Sequence, residues 1–86
     1  MKEVEVGRVA DYFAKIGVVA IEVTANSIKV GDKLHFKGHT TDFTEEIKSM
    51  QVEHEQVEEA GVGDNVGIKV GDRVRSHDTV FKVVEE

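Results

Sequence analysis

The side chains able to do chemistry are four histidines and the carboxylates near them: His39 with Asp42, His54 with Glu58, and His77 beside Asp78. A carboxylate beside an imidazole can orient a general base, and imidazoles grouped with carboxylates can hold a metal. Each grouping is incomplete. His54-Glu55-Gln56-Val57-Glu58 would share one face of a helix, but the second His of a zincin helix is missing. Ser27, Ser49 and Ser76 fall in turns or on an inferred strand, without a triad pattern and without Gly-x-Ser-x-Gly. No Gly-x-x-x-x-Gly-Lys-[Ser/Thr] cradle is present, which excludes nucleotide hydrolysis on this chain. With no cysteine there is no thiol nucleophile, thiolate metal site or disulfide. His39, Asp42, His77 and Asp78 read as surface turn residues, and His54 to Ala60 as a solvated acidic loop. His35 alternates outward on a strand. The expectation is a non-enzyme with no cofactor and no metal, an enzyme built on His39 and Asp42 being the least favoured reading.

The elements that position these residues are punctuated by one repeated unit. Val30-Gly31-Asp32, Val62-Gly63-Asp64 and Val70-Gly71-Asp72 each put an apolar residue before a Gly that tolerates positive φ. An Asp able to hydrogen-bond nearby backbone follows. The spacing predicts three tight turns that return the chain to a sheet, and the dissimilar flanks argue against a solenoid. Val4, Val6 and Val9 predict a strand whose alternation slips at Gly7, as a bulge would produce. Val18 to Val23 is β-branched and strand-like. Lys33-Leu34-His35-Phe36-Lys37 alternates strictly, with Leu34 and Phe36 inward. Between Phe43 and Glu53 the apolar parity switches, Phe43 and Ile47 against Met50 and Val52. A bulged long strand is favoured over a helix there. Val66 to Val70 and Thr79 to Val84 complete six or seven strands. The expected fold is all-β, a small closed antiparallel β-barrel, with residues 1–86 forming one domain. Val6, Val19, Ile21, Val23, Ile28, Leu34, Phe36, Ile47, Met50, Val52, Val66, Ile68, Phe81 and Val83 form the expected core.

Charge and length narrow the partners. The chain has 86 residues and a net charge of −6, from 17 acidic and 11 basic side chains. That balance disfavours non-specific binding to nucleic acid, although Lys29, Lys33, Lys37, Lys48, Lys69, Arg73 and Arg75 could still converge into a local basic face. Met1-Lys2-Glu3-Val4-Glu5 lacks the apolar core of a signal peptide, and no apolar run reaches membrane-spanning length. The expectation is a cytoplasmic protein with no membrane partner. Tyr12 and Phe13 beside Lys15 could stack bases, but read more simply as aromatics covering a barrel rim.

Gly17 before Val18-Val19, the segment Ile28 to Asp32, the strand Lys48 to Val52, and Gly63-Asp64-Asn65-Val66-Gly67 occur in an order that resembles domain 2 of the translational GTPases. This is the β-barrel following the nucleotide-binding domain in elongation factor Tu and its relatives. The resemblance implies a binding module that contacts tRNA, ribosomal RNA or a translation-associated protein. It places the contact face in two groups, Lys37, His39, Thr40, Thr41 and Asp42 in one and Ser49, Gln51, Val52, Asn65 and Val66 in the other. The C-terminal barrel of collagenase-like peptidases also looks related. It supplies the alternative expectation, a protein-interaction module partnering or appended to such an enzyme.

Overall fold

The computed structural model describes residues 2–85; Met1 and Glu86 lie outside the described residues. Ten strands follow in order: β1 (Lys2–Phe13), β2 (Val18–Val23), β3 (Ile28–Lys29), β4 (Lys33–Lys37), β5 (Asp42–Glu46), β6 (Met50–Val52), β7 (Glu55–Val57), β8 (Glu59–Ala60), β9 (Asn65–Lys69) and β10 (Thr79–Val84). Eight of them form one antiparallel sheet ordered β5-β4-β10-β1-β2-β9-β6-β7, and β3 pairs with β8 separately. The all-β expectation holds. The closed barrel does not, because β5 and β7 end the large sheet without pairing to each other. The opening between them is stitched instead. Ile28 pairs with Ala60 and Lys29 with Glu59 across β3 and β8. Ile47 N–H donates to the Asp32 carbonyl, and Gly31 N–H donates to the Ile47 carbonyl, both at 2.8 Å.

Ile47 also explains the parity switch that suggested a bulged strand. The chain leaves β5 on one edge of the sheet, buries Ile47 (1% exposed), and re-enters as β6 against β9 on the other side. Two strands and a crossing replace the single long strand, and no helix forms.

Among the described residues sixteen apolar side chains form the buried core, with Phe36, Leu34, Ile21, Ile28, Ile47, Met50 and Ile68 the largest. Phe43 stacks on Phe36 at 5.1 Å from the half-buried edge strand. Val9, Ala60, Val70, Val74 and Val80 are core residues that the pattern did not reveal, whereas Val52, Phe81 and Val83 are only partly buried. The last strand has the opposite parity to the expected one. Leu34 faces Lys82 and Phe36 faces Val80. Lys82 is half-buried at this inner position and donates from Nζ to the Ser27 carbonyl at 2.8 Å. A charged residue was thereby hidden among inward positions.

Gly7 is the slip in β1, with the register shifting between Glu5 and Gly7. A side chain there would collide with the Glu22 carbonyl of the neighbouring strand, so the bulge is compatible only with glycine. Two of the Val-Gly-Asp units form the expected turns, with Gly31 and Gly63 both at φ 99°. The unit at Val70 does not. Gly71 N–H donates to Glu45 Oε1 at 2.6 Å, and Asp72 bonds only its neighbour, the Arg73 N–H. The third turn of this kind is Arg75-Ser76-His77-Asp78, where His77 takes the left-handed position at φ 75°. Among the described residues no helix is long and apolar enough to cross a membrane.

Candidate functional site

Register settles where the two predicted residue groups fall. In β9, Gly67 lies opposite Ala20 of β2 on one side and Gln51 of β6 on the other, and Asn65 lies opposite Glu22. These positions share the outer face of the sheet, because Val66 and Ile68 between them point into the core. A glycine flanked by a small alanine leaves a trough. Phe13 (47% exposed) and Ile16 (61% exposed), from the β1–β2 hairpin, bound one side of it, and Glu53 and His54 the other. That hairpin is closed by the Gly17 N–H donating to the Phe13 carbonyl at 2.9 Å, with Gly17 at φ 64°. The β6–β7 hairpin is tighter. Val52 pairs with Glu55 across a two-residue turn in which Glu53 and His54 have φ of 52° and 66°. Two successive left-handed residues are the signature of a type I′ turn, normally built from Asn-Gly. Here it is built from Glu-His, so backbone strain is held at the rim of the trough. The acidic loop expected over His54 to Ala60 is this hairpin followed by β8.

Gln51 and Asn65 therefore stand together at the trough, as one predicted group. Val66 is 1% exposed and offers the trough only its backbone. Val52 faces inward against the core, and Ser49 is exposed on the crossing between β5 and β6. The other group is on a different part of the sheet. Lys37, Gly38, His39, Thr40, Thr41 and Asp42 make the β4–β5 hairpin, in which Thr41 is buried (5% exposed) and His39 and Thr40 are exposed. One contact face joining both groups is not formed.

The β4–β5 hairpin holds a histidine cluster that alternation alone did not show. His35 Nδ1 lies 2.9 and 3.0 Å from the two Glu3 carboxylate oxygens, and Nε2 lies 2.5 Å from Asp42 Oδ1. Asp42 thus pairs with His35 and not with His39. The His35 ring is 6.2 Å from that of Phe81, and the His35 side chain is 15% exposed. Bonding to Glu3, then to Asp42, raises the His35 pKa above its usual 6.5 against the opposing effect of partial burial. The same bond to His35 lowers that of Asp42. The signal that could have found this is positional: His35 and Asp42 share one face of the paired strands β4 and β5, and Glu3 lies on the same face of β1, with β10 between β1 and β4. The cluster has no nucleophile bonded to its imidazole. Asp78, expected with His77 as a surface turn residue, instead turns inward (6% exposed) and accepts the Arg75 N–H at 2.9 Å. Among the described residues no group of three or more His, Cys, Asp or Glu could hold a metal ion.

Lys29, Lys33, Lys37 and Lys48 do not form a positive face either. Lys29 lies opposite Glu59, Lys33 opposite Glu46 and Lys37 opposite Asp42. A groove at the unclosed seam likewise mixes Lys29 and Lys48 with Glu58 and Glu59.

No protein-family model matches the chain. It is 39% identical over 85 residues to an uncharacterized protease of Methanocaldococcus jannaschii, an alignment covering 98% of this chain and 21% of that protein. It is 27% identical over 82 residues to a collagenase of Porphyromonas gingivalis, covering 94% of this chain and 20% of the collagenase. The chain thus spans about a fifth of the length of the relatives it matches. In fold it is similar to the C-terminal domain of a Geobacillus thermoleovorans protein described as a U32 peptidase. The TM-score is 0.86 at 22% identity, covering 93% of this chain and 92% of that domain. These findings overturn the translation-factor resemblance. The similar chains are a protease, collagenases and a peptidase domain, so the elongation-factor role, with the tRNA and ribosomal contacts it implied, is withdrawn.

Proposed function

We propose that this chain is a non-catalytic, protein-binding module of a collagenase-like peptidase, and that it presents the trough around Gly67 to polypeptide. The observation that carries this reading is one of extent. The match takes in nearly the whole of this chain but a fifth of the proteases, and a chain of this same extent is folded as a C-terminal domain in a peptidase. The trough supplies the means. Exposed Phe13 and Ile16 provide apolar contact, and the side-chain amides of Gln51 and Asn65 can donate to the carbonyls of an extended peptide. No cleavage chemistry is assigned to the module, because His35 is occupied by two carboxylates and His39 stands without a bonded partner among the described residues. Its cysteine-free composition is compatible with a cytoplasmic setting, which cell fractionation checks.

The test is binding of the chain to heat-denatured collagen, read by surface plasmon resonance against a folded globular control. Binding is expected to fall about tenfold or more in Phe13→Ser/Ile16→Ser, equivalent to about 1.4 kcal/mol. Gly67→Leu should have the same effect by filling the trough. A Cβ at Gly67 would meet nothing nearer than Val18 Cγ1 at 3.6 Å, so this variant should still fold. Unchanged binding in both variants would remove the trough from the reading. Peptide-bond cleavage by the isolated chain would show the module to be catalytic.

A further inference from the structure

We propose that His35 is a pH-operated latch: as an imidazolium it ties β1 and the outer strand β5 to β4, and on losing a proton it releases Asp42. The geometry requires a choice between two partners. Both ring nitrogens face carboxylates, Nδ1 toward Glu3 and Nε2 toward Asp42, and only the imidazolium carries an N–H on each. The neutral ring must turn one lone pair toward a carboxylate, which repels it.

Asp42 is the partner that leaves. Its side chain is 71% exposed against 41% for Glu3, and it opens a strand paired on one side only. His35 itself cannot easily follow, since its side chain is 15% exposed and lies against Phe81. The charged groups sharing this face by register are Glu5 and Arg8 from β1, Lys33 and Lys37 from β4, and Glu46 from β5; Arg8 is bonded to Glu22 of β2, and β10 adds the uncharged Thr79, Phe81 and Val83. Lys37, directly across from Asp42, is placed to take up the freed carboxylate. Release then leaves the start of β5 held by its ladder to β4 and by the Phe43–Phe36 stack. The latch lies away from the Gly67 trough, so its test is independent of the proposed function.

The experiment is NMR on the whole chain. Long-range 1H–15N spectra follow protonation at each His35 nitrogen, and hydrogen exchange, normalised to the intrinsic rate at each pH, gives protection factors for the amides of residues 41–44. The expected result is loss of the Nε2 proton as pH rises through the His35 midpoint. Protection should fall several-fold over the same interval. Asp42→Asn should abolish that pH dependence while leaving the sheet resonances in place, and Glu3→Gln should lower the midpoint yet keep the dependence. The latch is overturned if Nε2 keeps its proton when His35 becomes neutral. It is also overturned if protection is flat with pH, or if Asp42→Asn shows the same fall as the unaltered chain.

Discussion

The Asp64 carboxylate accepts the Gly61 N–H at 2.9 Å while the Asp64 N–H donates to the Gly61 carbonyl at 3.0 Å. The same reciprocal pair joins Lys29 to Asp32 and Arg75 to Asp78. One turn device is thus used three times, and the Asp in each satisfies a backbone donor that the turn would leave unpaired. Asp64→Ala should cost about 1 kcal/mol. Asp78→Ala should cost about 1–3 kcal/mol, because the Arg75 N–H then loses its partner beside a buried site. Urea denaturation measures both, as a shift in midpoint with an unchanged slope.

Within these turns the third position is left-handed, occupied by Gly31, Gly63 and His77. Gly63→Ala should destabilise by about 1 kcal/mol, although nothing lies within 4 Å of the added Cβ, because the cost is conformational. His77→Gly should be neutral or stabilising by less than about 1 kcal/mol, the relieved strain being partly offset by greater freedom in the unfolded chain. Thermal denaturation of the pair distinguishes backbone strain from lost contacts. Equal destabilisation by both substitutions would contradict the left-handed assignment.

The Glu53-His54 turn predicts a trade between stability and binding. Replacing these residues with Asn-Gly should stabilise the chain by about 1 kcal/mol, since that pair takes up type I′ geometry with little strain. It also removes a carboxylate and an imidazole from the trough rim, so affinity for denatured collagen should weaken. A calorimetric Tm measured alongside the binding isotherm reads both effects on one sample.

Stability should depend on pH through His35. Its folded pKa is raised by Glu3 first and Asp42 second, so its contribution is fully present below the unfolded value near 6.5 and is lost as pH rises through the folded value. Asp42 titrates in the opposite sense. Its folded pKa is lowered, so its contribution is present above the usual 3.8 and is lost as pH falls through the folded value. Tm should therefore decline on both sides of the interval between the two groups. In His35→Gln the alkaline decline should be smaller, measured by scanning fluorimetry at matched ionic strength.

Much of the sheet was legible because alternation and burial share a period. Leu34 and Phe36 point inward with His35 between them, the slip at Gly7 is a bulge, and the glycines at 31 and 63 mark turns. Local pattern failed where a distant partner set the outcome. Lys82 lies along the inner side because its ammonium reaches the Ser27 carbonyl, 55 residues away in sequence. The Glu53-His54 hairpin carries no Gly, Asn or Asp to announce it. His35 looked idle because its partners, Glu3 and Asp42, come from separate strands.

By itself, the sequence determined an all-β chain with tight Gly-Asp turns and no complete catalytic motif, since these follow from residue type, spacing and side-chain period. Only the tertiary structure decided that the sheet ends without closing and that Gln51 lands opposite Gly67, on the face that Asn65 shares. It also decided that His35 joins Glu3 to Asp42. Those are choices of strand order and register, and neighbours along the chain do not fix which distant strand supplies the hydrogen bonds.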